Sequence, residues 1–205
     1  MAASAQHARV LPGTARHDAE HRGKPRQTDW IVVTSTITNG TVDTELLATV
    51  TQFLGLEARL LDEGREEEWF ELLDNDLLYT VPIRQATEAR SNEVSGSAFR
   101  VRDTKSHIRL RIERNKTGHA YSELPPSRTL RVVGSIEITG VDGEVVSATS
   151  ALLVYRQHGI DPYFDLIPVR RYDRIKICAT GPRLLSREII LTETIMATAN
   201  LGIFL

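Results

Sequence analysis

The chain has 205 residues, a formal net charge of −2, 25% charged residues and one cysteine. That length fits one domain with extensions or two very small ones. The near-neutral balance excludes a globally basic nucleic-acid or membrane-surface protein, and a lone Cys178 excludes an internal disulfide framework. No apolar run approaches the roughly 20 residues of a membrane span, and the start of the chain lacks an apolar signal core. A soluble chain in a reducing cytoplasm is expected.

Residues 1–28 show no periodicity and carry five Arg or Lys against two acids, interrupted by Pro12, Gly13, Gly23 and Pro25. They are expected to be a flexible tail. His17 and His21 have a metal-ligand spacing only if that piece is helical, and a solvated basic tail is the simpler reading. Residues 29–42 form an arm whose first part, DWIVVTSTIT, has strand composition and reads as an added edge strand or a piece laid on a neighbour.

The domain is expected over 43–205. Leu46, Val50, Phe53, Leu54, Leu60 and Leu61 recur at helical spacing, with Asp43 as N-cap and Gly64 as the left-handed stop. Val42 and Leu47 fit the hydrophobic staple at its start. Glu66, Glu67 and Glu68 open a second short helix. Leu77–Ile83 reads as a strand ending at Pro82, at a sheet edge. Residues 84–98 read as a polar loop. The run 99–116 holds seven Arg or Lys and two acids, and Asp103 is placed to cap a helix over 104–115. From 127 onward the period is two: Leu130, Val132, Ile136 and Ile138 are expected on one face. Asp142-Gly143 marks a hairpin into 144–156, and further strands follow at about 163–178 and 184–196, parted by Gly181-Pro182. Helix, helix, strand, helix and four meandering strands predict an α+β cone, a curved antiparallel sheet wrapped around helices, as in the NTF2-like (cystatin-like) roll. The apolar ending ANLGIFL (199–205) is expected to dock in the core or on another subunit.

Chemistry-bearing patterns are sparse. A Rieske centre needs two cysteines, and only His107, His119 and His158 lie outside the N-terminal region for a non-haem iron site. There is no G-x-S-x-G elbow and no glycine-rich phosphate loop, and Cys178 reads as a small core residue. The basic 99–116 run has one aromatic, too few for a stacking nucleic-acid platform or adaptor surface. The cone keeps one enzyme reading open, a free-standing dehydratase or isomerase with Asp74, Asp76, Tyr79, His119, Tyr121 or Tyr155 in an interior pocket. Those residues have simpler readings as helix ends and half-buried strand positions.

Five ordered blocks carry a resemblance: FLGLEARLLDEGREEEWFELLDNDLLYTVPIR (53–84), ELPPSRTLRVVGSIEI (123–138), LLVYR (152–156), VRRYDRI (169–175) and ANLGIFL. They resemble the small (β) subunit of bacterial aromatic-ring-hydroxylating dioxygenases, with Pro125, Pro126, Ser127 and Arg128 in place. The resemblance spans about 43–205. It departs at Gly134-Ser135, where the family usually has Ser-Asn, and over the loosely matching 178–191. It implies an NTF2-like subunit assembled with a larger α subunit, usually as α3β3. It implies no cofactor here, with the Rieske 2Fe-2S cluster and the mononuclear iron in the α subunit. A reductase, often with a ferredoxin, feeds electrons from NAD(P)H to such complexes, which cis-dihydroxylate an aromatic ring. The chain is then a non-catalytic subunit that holds three α subunits together. Arg90, Arg128, Arg170 and Arg171 are the expected interface contacts, since guanidinium groups make planar, multiply bonded contacts across polar interfaces.

Overall fold

The structure, a computed structural model, describes residues 43–117, 125–160, 162–196, 198 and 200–205. The expected tail and arm, Val42 of the staple, His119 and Tyr121 lie outside the described residues. The elements are α1 (Thr44–Asp62), α2 (Glu66–Phe70), β1 (Leu73–Arg84), a 3-10 turn (Arg90–Asn92), β2 (Val94–Thr104), α3 (Lys105–Lys116), β3 (Arg128–Asp142), β4 (Val145–Gln157), β5 (Asp165–Cys178) and β6 (Gly181–Leu191).

The first helix begins and ends as the residues dictate. Asp43 Oδ1 accepts the N–H groups of Glu45 and Leu46, each at 3.1 Å. At the far end Gly64 takes φ 69°, and Arg65 and Gly64 donate to the Leu60 and Leu61 carbonyls at 2.8 and 3.3 Å. That is a Schellman stop, and glycine meets its left-handed position without a Cβ clash. Val50, Phe53, Leu54, Leu60 and Leu61 are buried, so the apolar stripe faces the core.

One six-stranded sheet runs β2-β1-β6-β5-β4-β3. Strands β3 to β6 form the expected antiparallel meander; β6 then pairs in parallel with β1, which carries β2 antiparallel at the other edge. Several features differ from expectation. β1 is an interior strand, and Pro82 sits in it between two register shifts against β2, where a missing N–H is tolerated. Residues 94–98, expected in a loop, and 99–104, the start of the charged run, form strand β2, because β1 supplies the pairing that their polar sequence does not announce. The following helix starts after Thr104, whose N–H donates to His107 Nδ1 at 3.3 Å, while Asp103 stays in β2 and pairs with Arg111 at 2.9 Å. The last turn is also displaced. β5 ends at the half-buried Cys178, which is not a core residue, and Gly181-Pro182 already belong to β6, which stops at Leu191.

The largest correction lies in β3. Arg131 points inward, whereas Leu130 and Val132 face out, with 60% and 58% of their surfaces exposed. Ile136 and Ile138 face in. The switch is a bulge: Gly134 pairs with Ala151 and Glu137 with Thr149, so β3 spends one extra residue and its alternation shifts by one. Ser135 takes φ 48° there. Asparagine tolerates that left-handed region better than serine, so Ser135→Asn is expected to stabilise the chain by about 0.5–1 kcal/mol. Urea unfolding of the two proteins reads the difference.

The helices pack on the concave face, where inward residues align across strands as Arg131–Val154–Ile167, Val133–Leu152–Val169–Leu191, Ala148–Asp173–Arg187–Tyr79 and Val146–Ile175–Leu184–Leu73. No helix among the described residues is long and apolar enough to cross a membrane.

Candidate functional site: the interior of the cone

In a cone of this kind the concave face is where a pocket would form, and here two things occupy it. The first is a buried ion quartet. Glu57 lies on the apolar stripe of α1, Arg171 and Asp173 on the inward positions of β5, and Arg187 on β6 beside Asp173. The Arg187 guanidinium donates to both oxygens of Glu57 at 2.8 and 2.7 Å and to both of Asp173 at 2.8 and 3.0 Å. Trp69 Nε1 donates to Glu57 Oε1 at 2.9 Å, and Arg171 Nη1 stands 3.6 Å from Glu57 Oε2. Arg171 Nε donates to Ser150 Oγ at 3.1 Å.

Two carboxylates and two guanidinium groups make the cluster neutral, which is what allows full burial. Burial pushes the Glu57 pKa up, but the charges of Arg187 and then Arg171 outweigh it and hold the carboxyl below its ordinary range. Arg171 is pushed down to about 10 by burial and then by the neighbouring Arg187 charge. Arg187 is raised: burial lowers it, but Asp173 and Glu57 prevail. Tyr79 is raised by burial.

The second occupant is the chain's own ending. Phe204 stacks on Trp69 with ring centroids 4.5 Å apart, and the Arg111 guanidinium lies 4.3 Å from the Phe204 centroid. Main-chain carbonyls of this segment are taken by side chains converging from four elements. Arg111 donates to Leu201 and Ile203 at 3.1 and 3.4 Å, and Arg131 to Phe204 at 2.6 Å. Arg187 and the Tyr79 hydroxyl donate to Leu205 at 3.2 and 3.1 Å, and the Leu205 N–H donates back to Tyr79 at 2.8 Å. Further out, Arg156 donates to the Asn200 carbonyl at 3.1 Å and to Ser127 Oγ at 3.0 Å. The docking of the ending in the core, one of its two expected places, is therefore seen directly.

The pocket candidates do not converge. Tyr79 is inside and engaged by Leu205; Asp74 accepts the Asp76 N–H at 2.9 Å in a turn at the start of β1; Tyr155 points outward and stacks on Phe164 with centroids 5.1 Å apart. Of the expected interface arginines, Arg90 is exposed in the 3-10 turn, Arg170 is exposed on the outer face of β5, and Arg128 is exposed on the outer face of β3, donating to the Gly159 carbonyl at 3.0 Å. Arg171 is inside the cone, 1% exposed. A groove of about 450 Å³ lies between α1 and β3 at the margin of the concave face, lined by Thr51, Gly55, Ala58, Arg131, Val133 and Ile136 among others. Among the described residues no three His, Cys, Asp or Glu side chains are grouped to hold a metal.

Sequence reasoning missed the quartet, although its signal was present. Glu57 falls on the helical stripe of Val50, Phe53, Leu54, Leu60 and Leu61. Arg171 and Asp173 share the parity of Ile167, Val169 and Ile175, and Arg187 that of Ile189 and Leu191. Charges on core-facing positions announce a buried pair.

Known proteins share this fold. Residues 56–198 match the profile of the family described as "Ring hydroxylating beta subunit". The chain is 39% identical over 155 residues to the beta subunit of an N,N-dimethyl phenylurea N-demethylase of Sphingobium sp. (strain YBL2), an alignment covering 75% of this chain and 88% of that protein. A solved naphthalene 1,2-dioxygenase chain superposes with a TM-score of 0.71 at 21% identity, covering 87% of this chain and 98% of the other. The beta subunit of the benzoate 1,2-dioxygenase of Burkholderia mallei ATCC 23344 gives 0.63 at 17% identity, covering 80% and 99%. At those identities the two structures speak to the fold alone.

Proposed function

This chain belongs to the family of ring-hydroxylating beta subunits, and from that premise we propose that it is the non-catalytic β subunit of an α3β3 oxygenase. It holds the larger α subunits in the arrangement their chemistry needs. The observation that carries this reading is the filled cone: Phe204, Leu205 and the Glu57–Arg187–Asp173–Arg171 quartet stand where a free-standing dehydratase or isomerase would hold its substrate. β subunits of ring-hydroxylating dioxygenases lack the catalytic metal centres, which sit on the α subunit. The Rieske 2Fe-2S cluster, the mononuclear iron and the contacts with ferredoxin or reductase are assigned to that partner.

Substrate choice is assigned to the α subunit as well, because relatives named for naphthalene and for a dimethyl phenylurea share this subunit type. Hydroxylation of an aromatic compound to a cis-dihydrodiol is the reaction proposed for the complex, in the cytoplasm. Arg90, Arg128 and Arg170 are the proposed contacts with partner chains, while Arg171 supports them from inside the cone.

Tagged and purified from the cells that make it, the chain is expected to bring down a larger, brown, iron-containing subunit. A colourless small oligomer of this chain alone would overturn the reading.

A further inference from the structure

Among the described residues β3 has a sheet neighbour, β4, on one side only, so the other side of this 15-residue strand is an open edge. Such an edge is a template for a further strand. Its first residues are closed off by α1: Asp62, the last residue of the helix, accepts the Arg131 N–H at 2.8 Å and the Thr129 hydroxyl at 2.9 Å. From there toward the start of α1 runs the groove of about 450 Å³, with Thr51, Gly55 and Ala58 on the helix side and Val133 and Ile136 on the strand side. A Cβ added at Gly55 meets no atom within 4 Å, so the helix side is open.

The sequence that leads into α1 has the length and the pattern to fill this groove. Asp43 caps the helix, so the preceding residues enter at its start, about 12 Å along the axis from Thr51. Asn39-Gly40 is a tight-turn signal, and the five steps from Asp43 back to Thr38 reach about 17 Å, enough to turn the chain toward the groove. Before the turn comes VTSTIT (33–38), β-branched at every position but Ser35. Val33, Ser35 and Ile37 share one face of an extended chain, and Thr34, Thr36 and Thr38 share the other. Six extended residues span about 20 Å. The stretch of α1 that lines the groove, Thr51 to Glu63, rises about 18 Å. Residues 33–42 carry no charge to desolvate. A segment tethered by so few residues also acts at an effective concentration on the order of millimolar, an advantage that the same segment of a second copy lacks.

We propose that residues 33–38 add a seventh strand to the open edge of β3, with Val33 and Ile37 in the groove against α1 and the threonines facing solvent. Burial of the two aliphatic side chains drives the docking, and main-chain hydrogen bonds to the β3 edge fix its course. The segment lies before residues 56–198, the span matched to the family, and its seat is independent of the subunit reading.

Disulfide trapping in the full-length chain tests this, with Cys178→Ser removing the native thiol and circular dichroism checking the fold of each variant. Ile37→Cys is combined with Thr51→Cys or with Gly55→Cys, the protein is oxidised, and its chains are separated under denaturing conditions without reductant. A disulfide needs Cα atoms within about 7 Å. One of the two pairs is expected to close a loop within a single chain in most molecules. Thr36→Cys, on the solvent face, is expected to close about ten-fold less with either partner. Hydrogen exchange of the chain with its native cysteine is the second readout. Amides of residues 33–38 are expected to exchange about 100-fold more slowly than in a Gly55→Leu variant, whose added side chain fills the groove. No loop with either pair, or exchange of 33–38 that Gly55→Leu leaves unchanged, overturns the assignment. A disulfide joining two chains overturns it in favour of the segment of a second copy. Protection of 33–38 that arises only when an α subunit is bound overturns it in favour of a contact with that partner.

Discussion

Arg187→Ala is expected to cost the folded chain about 3–5 kcal/mol, the range for removing one partner of a buried ion pair. The side chain is fully enclosed and donates to four carboxylate oxygens and to the Leu205 carbonyl. Its loss leaves Asp173 without its guanidinium and leaves Glu57 with Trp69 and the more distant Arg171. The pH dependence gives the effect a signature. The Glu57 carboxyl is raised by burial but brought below its ordinary value of 4.5 by Arg187 and then Arg171. A carboxyl depressed in the folded state contributes stability above its unfolded pKa and loses it as pH falls through the folded value. The wild type therefore weakens as pH drops below about 4.5. In Arg187→Ala burial dominates, the carboxyl is pushed upward, and the variant gains stability relative to the wild type on acidification from neutral pH. Urea unfolding across that range measures both. A parallel pH dependence in the two proteins would show that Arg187 does not set the charge state of Glu57.

The second large effect belongs to the chain's ending. Phe204→Ala is expected to cost about 3–5 kcal/mol, as other buried aromatic truncations do. The buried ring lies against Trp69 on one side and the Arg111 guanidinium on the other. Removing residues 201–205 altogether should cost more, because Arg111, Arg131, Arg187 and Tyr79 all lose their carbonyl partners in a buried setting. Thermal unfolding gives the magnitude. A red shift of the tryptophan emission locates it, since Trp69 is buried against Phe204. If Phe204→Ala unfolds at the wild-type temperature, the ending is an ornament of the cone rather than part of its core.

Much of this fold was legible because local rules agreed with one another. Asp43, Gly64 and the leucine stripe fix α1, and alternation with short turns fixes the meander. The elements that escaped have specific physical causes. Residues 94–104 are too polar to announce a strand and become one through pairing with β1. Leu130 and Val132 look like core by alternation, but a single left-handed residue, Ser135, shifts the parity of β3 and turns them outward. The departure from the family's usual Ser-Asn falls on that bulge, where asparagine suits the backbone better than serine does. Arg171 reads as a surface contact by its charge alone, while the parity of β5 places it inside. The interior of the cone was thus written in the sequence as charged residues on apolar positions. The outward face depended on a bulge that periodicity does not reveal.

The central claim is that this chain is the scaffold of an oxygenase and not its catalyst. The native mass spectrum of the complex purified through this chain, read together with its iron content, tests that most directly. Equal numbers of the 22.9 kDa chain and a larger partner are expected, with iron following the partner when the complex is dissociated. Iron remaining on the 22.9 kDa chain, or a homo-oligomer of that chain that turns over a substrate unaided, would contradict it.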